Sequence, residues 1–120
     1  MLTVNEIRSK AATFFRDKPI RRAYLFGSLA RLEATDRSDV DILVELDATK
    51  TIGLIEYIRI ADGLEALLQR KVNLVAEDGL SQFIKPRVDQ EKILIYEASS
   101  QLVLRNASLR VIASGGFKSE

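Results

Sequence analysis

The segment Asp39-Val40-Asp41-Ile42-Leu43-Val44-Glu45-Leu46 limits what this chain can fold into more than any other. Val40, Ile42, Val44 and Leu46 fall on one face at a period of two, and Asp39, Asp41, Leu43 and Glu45 fall on the other, which is the repeat of a β-strand. The apolar face must lie against a hydrophobic layer. The opposite face carries two carboxylates that point the same way. Such a strand needs partners on its edges and elements to cover its apolar side, so the segments around it decide the architecture.

Those segments alternate in period. Residues 4–17 place Val4, Ile7, Ala11, Phe14 and Phe15 at helical spacing, and Lys18-Pro19 ends the pattern. Ala23-Tyr24-Leu25-Phe26, between Arg21-Arg22 and Gly27, reads as a short strand, after which Ser28 is placed to cap a short helix over 29–32. Thr35-Asp36-Arg37-Ser38 is a polar turn in which Ser38 is expected to bond locally to the backbone. Leu54, Ile55, Ile58, Ala61, Leu64, Leu67 and Leu68 return to helical spacing over 54–69, and Lys71 to Ala76 predicts a third strand with Val72, Leu74 and Ala76 on one face. From Ser81 a helix is expected through Phe83, Ile84, Val88, Ile93, Leu94 and Tyr96, with Pro86 in its first turns or kinking it. Leu102-Val103-Leu104 and Leu109-Arg110-Val111-Ile112 either continue that helix or add an edge strand, and the segment from Ser114 to Glu120 reads as frayed. The expectation is one α/β (α+β) domain over residues 1–98, a small mixed β-sheet packed against helices, with 99–120 as a C-terminal extension.

Composition narrows the chemistry. The 120 residues include no Cys and no His, which excludes disulfides, a Cys/His zinc site, a His base and a Cys nucleophile. What remains is carboxylates, hydroxyls, Lys, Arg and bound metal. No stretch approaches the about 18 apolar residues of a membrane span, and the start lacks an apolar signal core, so a cytoplasmic protein is expected. Asn106-Ala107-Ser108 fits a glycosylation acceptor but carries no weight without a secretory signal. The net charge of +1 argues against dedicated nucleic-acid binding. The charges are nonetheless segregated: residues 1–32 hold seven Lys/Arg against two acids, and 33–56 hold seven acids against two bases. This fits solvated faces that fold against each other, or an acidic metal site beside basic groups that hold a polyanion.

One constellation stands apart, Gly27-Ser28 followed after ten residues by Asp39-Val40-Asp41. Gly27 permits a tight turn and a close approach without a Cβ. Ser28 offers a hydroxyl beside backbone N–H groups that favour an anion. Asp39 and Asp41, on one strand face, can share a hard cation through oxygen ligands. Either half alone also fits an ordinary capped strand exit or a pair of exposed carboxylates; together they suit a triphosphate and its magnesium.

Leu25-Phe26-Gly27-Ser28-Leu29-Ala30-Arg31 and Ser38-Asp39-Val40-Asp41-Ile42-Leu43-Val44 resemble the hydrophobic-GS-x-A-R and S-D-x-D-hydrophobic signatures of the nucleotidyltransferase superfamily that includes DNA polymerase beta and the kanamycin nucleotidyltransferases. The similarity is to its minimal, MNT-type form, the antitoxin partner of HEPN-domain toxins, and covers about residues 3–98. The resemblance implies attack of an acceptor hydroxyl on the α-phosphorus of ATP with pyrophosphate leaving, assisted by Mg²⁺ or Mn²⁺. It also implies catalytic and metal-ligating roles for Asp39 and Asp41, and nucleotide or phosphate binding by Gly27, Ser28 and Arg31. Arg31 can equally brace the aspartate strand through a carboxylate. The family's third carboxylate falls on a later strand, where this chain has Asn73, an amide that can coordinate but is a poor proton acceptor.

Three readings of that departure stand: Asn73 is a weak ligand in a slow enzyme; Glu77 or Asp78 reaches in; or nucleotide is bound without turnover. Glu77 would lie roughly 13 Å along a continuing strand and needs a chain reversal to substitute. Glu45 reads better as a solvent-facing strand residue, Arg21-Arg22 as a solvated edge that discourages pairing, and Tyr24 and Tyr57 as partly buried packing. The resemblance therefore implies a nucleotidyltransferase antitoxin that adenylylates a HEPN partner. The alternatives are a binding module that neutralises its partner by complex formation, and an antibiotic nucleotidyltransferase subunit.

Overall fold

A computed structural model of the chain describes residues 2–98, apart from Ala34 and Asp36. Helix α1 (Val4–Phe15) opens at Thr3. The Thr3 hydroxyl accepts the Glu6 N–H at 3.1 Å while the Glu6 carboxylate accepts the Thr3 N–H at 3.0 Å, so two otherwise unpaired donors are satisfied reciprocally. The helix buries Ile7, Ala11 and Phe15, one stripe at four-residue spacing. Strands β1 (Ile20–Phe26) and β2 (Val40–Leu46) follow, then α2 (Leu54–Leu68), β3 (Val72–Ala76), a 3-10 turn over Glu77–Gly79, α3 (Lys85–Glu91) and β4 (Ile93–Glu97).

The sheet order is β3-β2-β1-β4. β1 runs antiparallel to β2 and β4, whereas β2 and β3 are parallel, so the sheet is mixed as expected. A parallel pair needs a crossover, and α2 supplies it. Ile7, Ala11 and Phe15 of α1 and Ile60, Leu64 and Leu68 of α2 form one core with Ala23 and Leu25 of β1 and Val40, Ile42 and Val44 of β2. Leu43, of opposite parity, is also buried, as is Val88 of α3, and neither belongs to that cluster. The second face of the sheet is thus covered around Leu43, which strand alternation treats as open.

The sequence reading is corrected in five places. The helix expected from Ser81 through Tyr96 stops at Glu91, and Ile93–Glu97 is a strand: Lys92 turns extended, and the free edge of β1 takes β4 as its partner. Pro86 sits in the first turn of α3, where its missing N–H costs nothing. Residues 29–32 form a turn and not a helix, because the Arg31, Leu32 and Glu33 N–H groups donate to Gly27, Leu29 and Ser28 at unequal spacings and Leu32 adopts φ 61°. Arg21-Arg22 do not mark an edge, since β1 lies between two strands and Arg22 pairs with Glu45 and Glu97, each at 2.8 Å. Of the α2 positions read at helical spacing, Leu54, Ile55 and Ile58 in the first turns are exposed, and the buried stripe is Leu64 and Leu68 joined by Ile60. Glu45 is the fifth correction and belongs with the site. The segments around Leu102–Leu104 and Leu109–Ile112 lie outside the described residues.

Candidate functional site

β1 leaves the sheet at Gly27 with φ +77°, a conformation that side chains with a Cβ rarely adopt. Phe26 stands opposite Asp41 in the antiparallel ladder, so Gly27 meets the Asp41 side chain, and a Cβ here would overlap Asp41 Oδ2. The close approach allowed by glycine is therefore to a carboxylate of the chain itself. On the other side of β2 the parallel ladder sets Asn73 opposite Asp41. Asn73 Nδ2 donates to Asp41 Oδ1 at 2.8 Å and to Asp39 Oδ2 at 3.2 Å, so both carboxylates converge on one amide.

The approach to Asp39 is held from two directions. The Thr35 N–H donates to Ser38 Oγ at 2.8 Å, the local bond expected of Ser38. Arg70, in the connection between α2 and β3, donates Nη2 to the carbonyls of Thr35 and Ser38. The Val40 N–H donates to the Lys71 carbonyl at 2.8 Å, extending the β2–β3 pairing to the start of the strand.

Arg31 does not reach the aspartates. Its Nη1 donates to Glu91 Oε1 and Oε2, each at 3.0 Å, and its Nε donates to Glu33 at 3.0 Å. Of the two roles expected, a carboxylate pair is formed, but with Glu91 and Glu33 and not with the Asp39–Asp41 strand. Glu91 also accepts the Gly27 N–H at 2.7 Å. Burial pushes the Glu91 carboxyl up, but the Gly27 N–H and Arg31 outweigh it and hold the group below its ordinary range. Hydrogen bonds to Glu33 and Glu91 raise the Arg31 guanidinium in turn.

Glu45 is not the solvent-facing residue expected: Arg22 donates to it at 2.8 Å, the Tyr24 hydroxyl at 3.1 Å, and its side chain is 16% exposed. Burial pushes its carboxyl up, and the bonds from Arg22 and Tyr24 more than compensate, leaving it lowered. Tyr24 and Tyr57 are partly buried as expected, and the Tyr57 hydroxyl donates to the Leu74 carbonyl at 2.6 Å. Glu77 and Asp78 sit in the turn beyond β3, and among the described residues no third carboxylate joins Asp39 and Asp41.

The donor set suits a hard divalent cation: two carboxylates aimed at one point and an amide beside them. Asn73 presents Nδ2 to that point, and rotation of the amide exchanges it for Oδ1, giving three oxygens. Glu91 and Arg70 were invisible to sequence reasoning. Glu91 lies 64 positions from Gly27, and neither its neighbours nor its spacing signals a link between them.

Comparison with known proteins shows the family. The polymerase beta nucleotidyltransferase family model matches residues 9–101. The chain belongs to this nucleotidyltransferase family. It is 34% identical over 99 residues to protein adenylyltransferase MntA of Thermococcus cleftensis, spanning 79% of this chain and 98% of that one. A toxin–antitoxin crystal structure with AMP-PNP superposes with a TM-score of 0.64 at 19% identity, covering 91% of this chain and 98% of that one. A complex of the tri-AMPylated HEPN toxin of Shewanella oneidensis with its MNT antitoxin gives 0.60 at 21% identity, covering 92% and 85%. At these identities the two structures testify to the nucleotidyltransferase fold.

Proposed function

We propose that this chain is a nucleotidyltransferase-type antitoxin that transfers AMP from ATP to a hydroxyl of a HEPN-domain partner in the cytoplasm. The observation that carries the reading is the convergence of Asp39, Asp41 and the Gly27 turn at one end of the β1–β2 pair. MntA of T. cleftensis, by its name a protein adenylyltransferase, supports it, as do the AMP-PNP and AMPylated toxin of the two related structures.

In this reading Asp39 and Asp41 hold Mg²⁺ or Mn²⁺, Asn73 turns its amide oxygen inward, and Gly27, Ser28 and Arg31 receive the phosphates. The cation, when bound, polarises the α-phosphate and favours the ionised acceptor hydroxyl. The acceptor oxygen forms its bond to the α-phosphorus as the bond to pyrophosphate breaks. Asn73 cannot take up the hydroxyl proton, which leaves the oxygens of Asp39 and Asp41 as the acceptors at that point. A second reading, neutralisation by binding alone, is favoured by Asn73 itself.

The two separate with labelled ATP, Mg²⁺ or Mn²⁺, and a HEPN-domain protein encoded next to this chain. Label on the partner, lost in Asp39→Ala with Asp41→Ala, is expected. No label, with neutralisation intact in that double variant, sinks adenylyl transfer in favour of binding.

A further inference from the structure

Glu91 is the last residue of α3, and its side chain is 14% exposed. It takes the Gly27 N–H on Oε2 and the Arg31 Nη1 on both oxygens. The Gly27 carbonyl meanwhile accepts the Arg31 N–H at 3.1 Å, so both polar main-chain groups of Gly27 are engaged within the turn and its tether. Among the described residues, the N–H groups of Ser28, Leu29 and Ala30 and the Nη2 of Arg31 donate to nothing in the chain. One side of the turn is anchored by a carboxylate, and the remaining donors are left for another acceptor.

We propose that Glu91 is a positioning residue for nucleotide binding: it holds Gly27 at positive φ and aims Arg31, so that the free donors of Ser28–Ala30 and Arg31 meet the triphosphate. This rests on the adenylyl-transfer reading above. A tether that served folding alone would leave nucleotide affinity unchanged when cut. A carboxylate that merely occupied the phosphate position would raise affinity when removed. Positioning predicts a loss, because one charge-assisted bond fixes the turn and another fixes the guanidinium.

The test measures AMP-PNP binding with Mg²⁺ by calorimetry on the full chain, Glu91→Ala and Glu91→Gln, with the Gly27 amide followed by heteronuclear NMR. Glu91→Ala is expected to bind about 10-fold more weakly. Glu91→Gln, which keeps an acceptor for the Gly27 N–H but no charge for Arg31, should fall between. The Gly27 amide resonance should move upfield in the same order. Glu97→Gln, which removes the charge from an exposed pair between β4 and Arg22 of β1, should bind as the parent does. Unchanged or tighter binding in Glu91→Ala overturns the proposal, and if that variant does not fold, the same result in Glu91→Gln does so. A parent chain that binds no AMP-PNP overturns both the adenylyl-transfer reading and this inference, whereas a parent that binds beside an unaffected Glu91 variant overturns the inference alone.

Discussion

Gly27 meets two demands at one position, a positive φ and room for the Asp41 carboxylate. Gly27→Ala is therefore expected to cost about 1 kcal/mol through backbone strain alone, and more as Asp41 is displaced. Because Asp41 belongs to the proposed metal site, transfer should fall further than stability does, by roughly 100-fold; thermal melts and labelled-ATP transfer on one preparation check both. Asn73 makes the opposite kind of prediction. Asn73→Asp removes the donor to Asp39 and Asp41 and sets a third carboxylate against them. Without divalent cation its melting temperature should drop, by the equivalent of about 1 kcal/mol. Mg²⁺ should recover the loss and transfer should rise; a variant that melts lower and responds to no cation would count against a metal site here. The placement of Gly27, Ser38, Asp39 and Asp41 at the turns and the start of β2 was legible from sequence, because each carries a local signature. Glu91 and Arg70 were not, since each acts through a contact far along the chain.

The elements were legible where periodicity and a stop signal coincide. α1 shows both, with its apolar stripe and Lys18-Pro19, and its start rests on Thr3. Thr3→Ala should cost about 1 kcal/mol, seen as a lower urea midpoint with an unchanged slope; a changed slope would mean that the cap shapes more than the helix end. β2 and β3 announced themselves by alternation, and a strand-helix-strand order implies that they run parallel, but the register that sets Asn73 opposite Asp41 comes from the structure; in the sequence Asn73 was singled out only by the family resemblance. Ile93–Glu97 failed because an apolar run after a helix has no period of its own, and the decision lay with the open edge of β1. The turn after Gly27 failed for a related reason: a cap residue and three followers look alike whether the bonds repeat or not.

At the scale of the whole molecule, the missing His and Cys shape the pH response. With neither present, no side chain has an ordinary pKa between about 5 and 8. Glu45 and Glu91 are both held below their ordinary range, so each contributes stability that is fully present above about 4.3 and is lost as pH falls through the lowered value. The melting temperature should be flat from about pH 6 to 8 and decline below about 4.5, less steeply in Glu91→Gln; a rise on acidification would contradict the pairing described. The fold that holds these groups also bears on descent. Because the β2–β3 ladder sets Asn73 opposite Asp41 whatever its side chain, the presence or absence of a third carboxylate is decided without any change of backbone. Asn and Asp codons differ by one base, so this chain stands a single point mutation from a three-carboxylate site. A lineage can add or remove the third carboxylate there and keep the same scaffold.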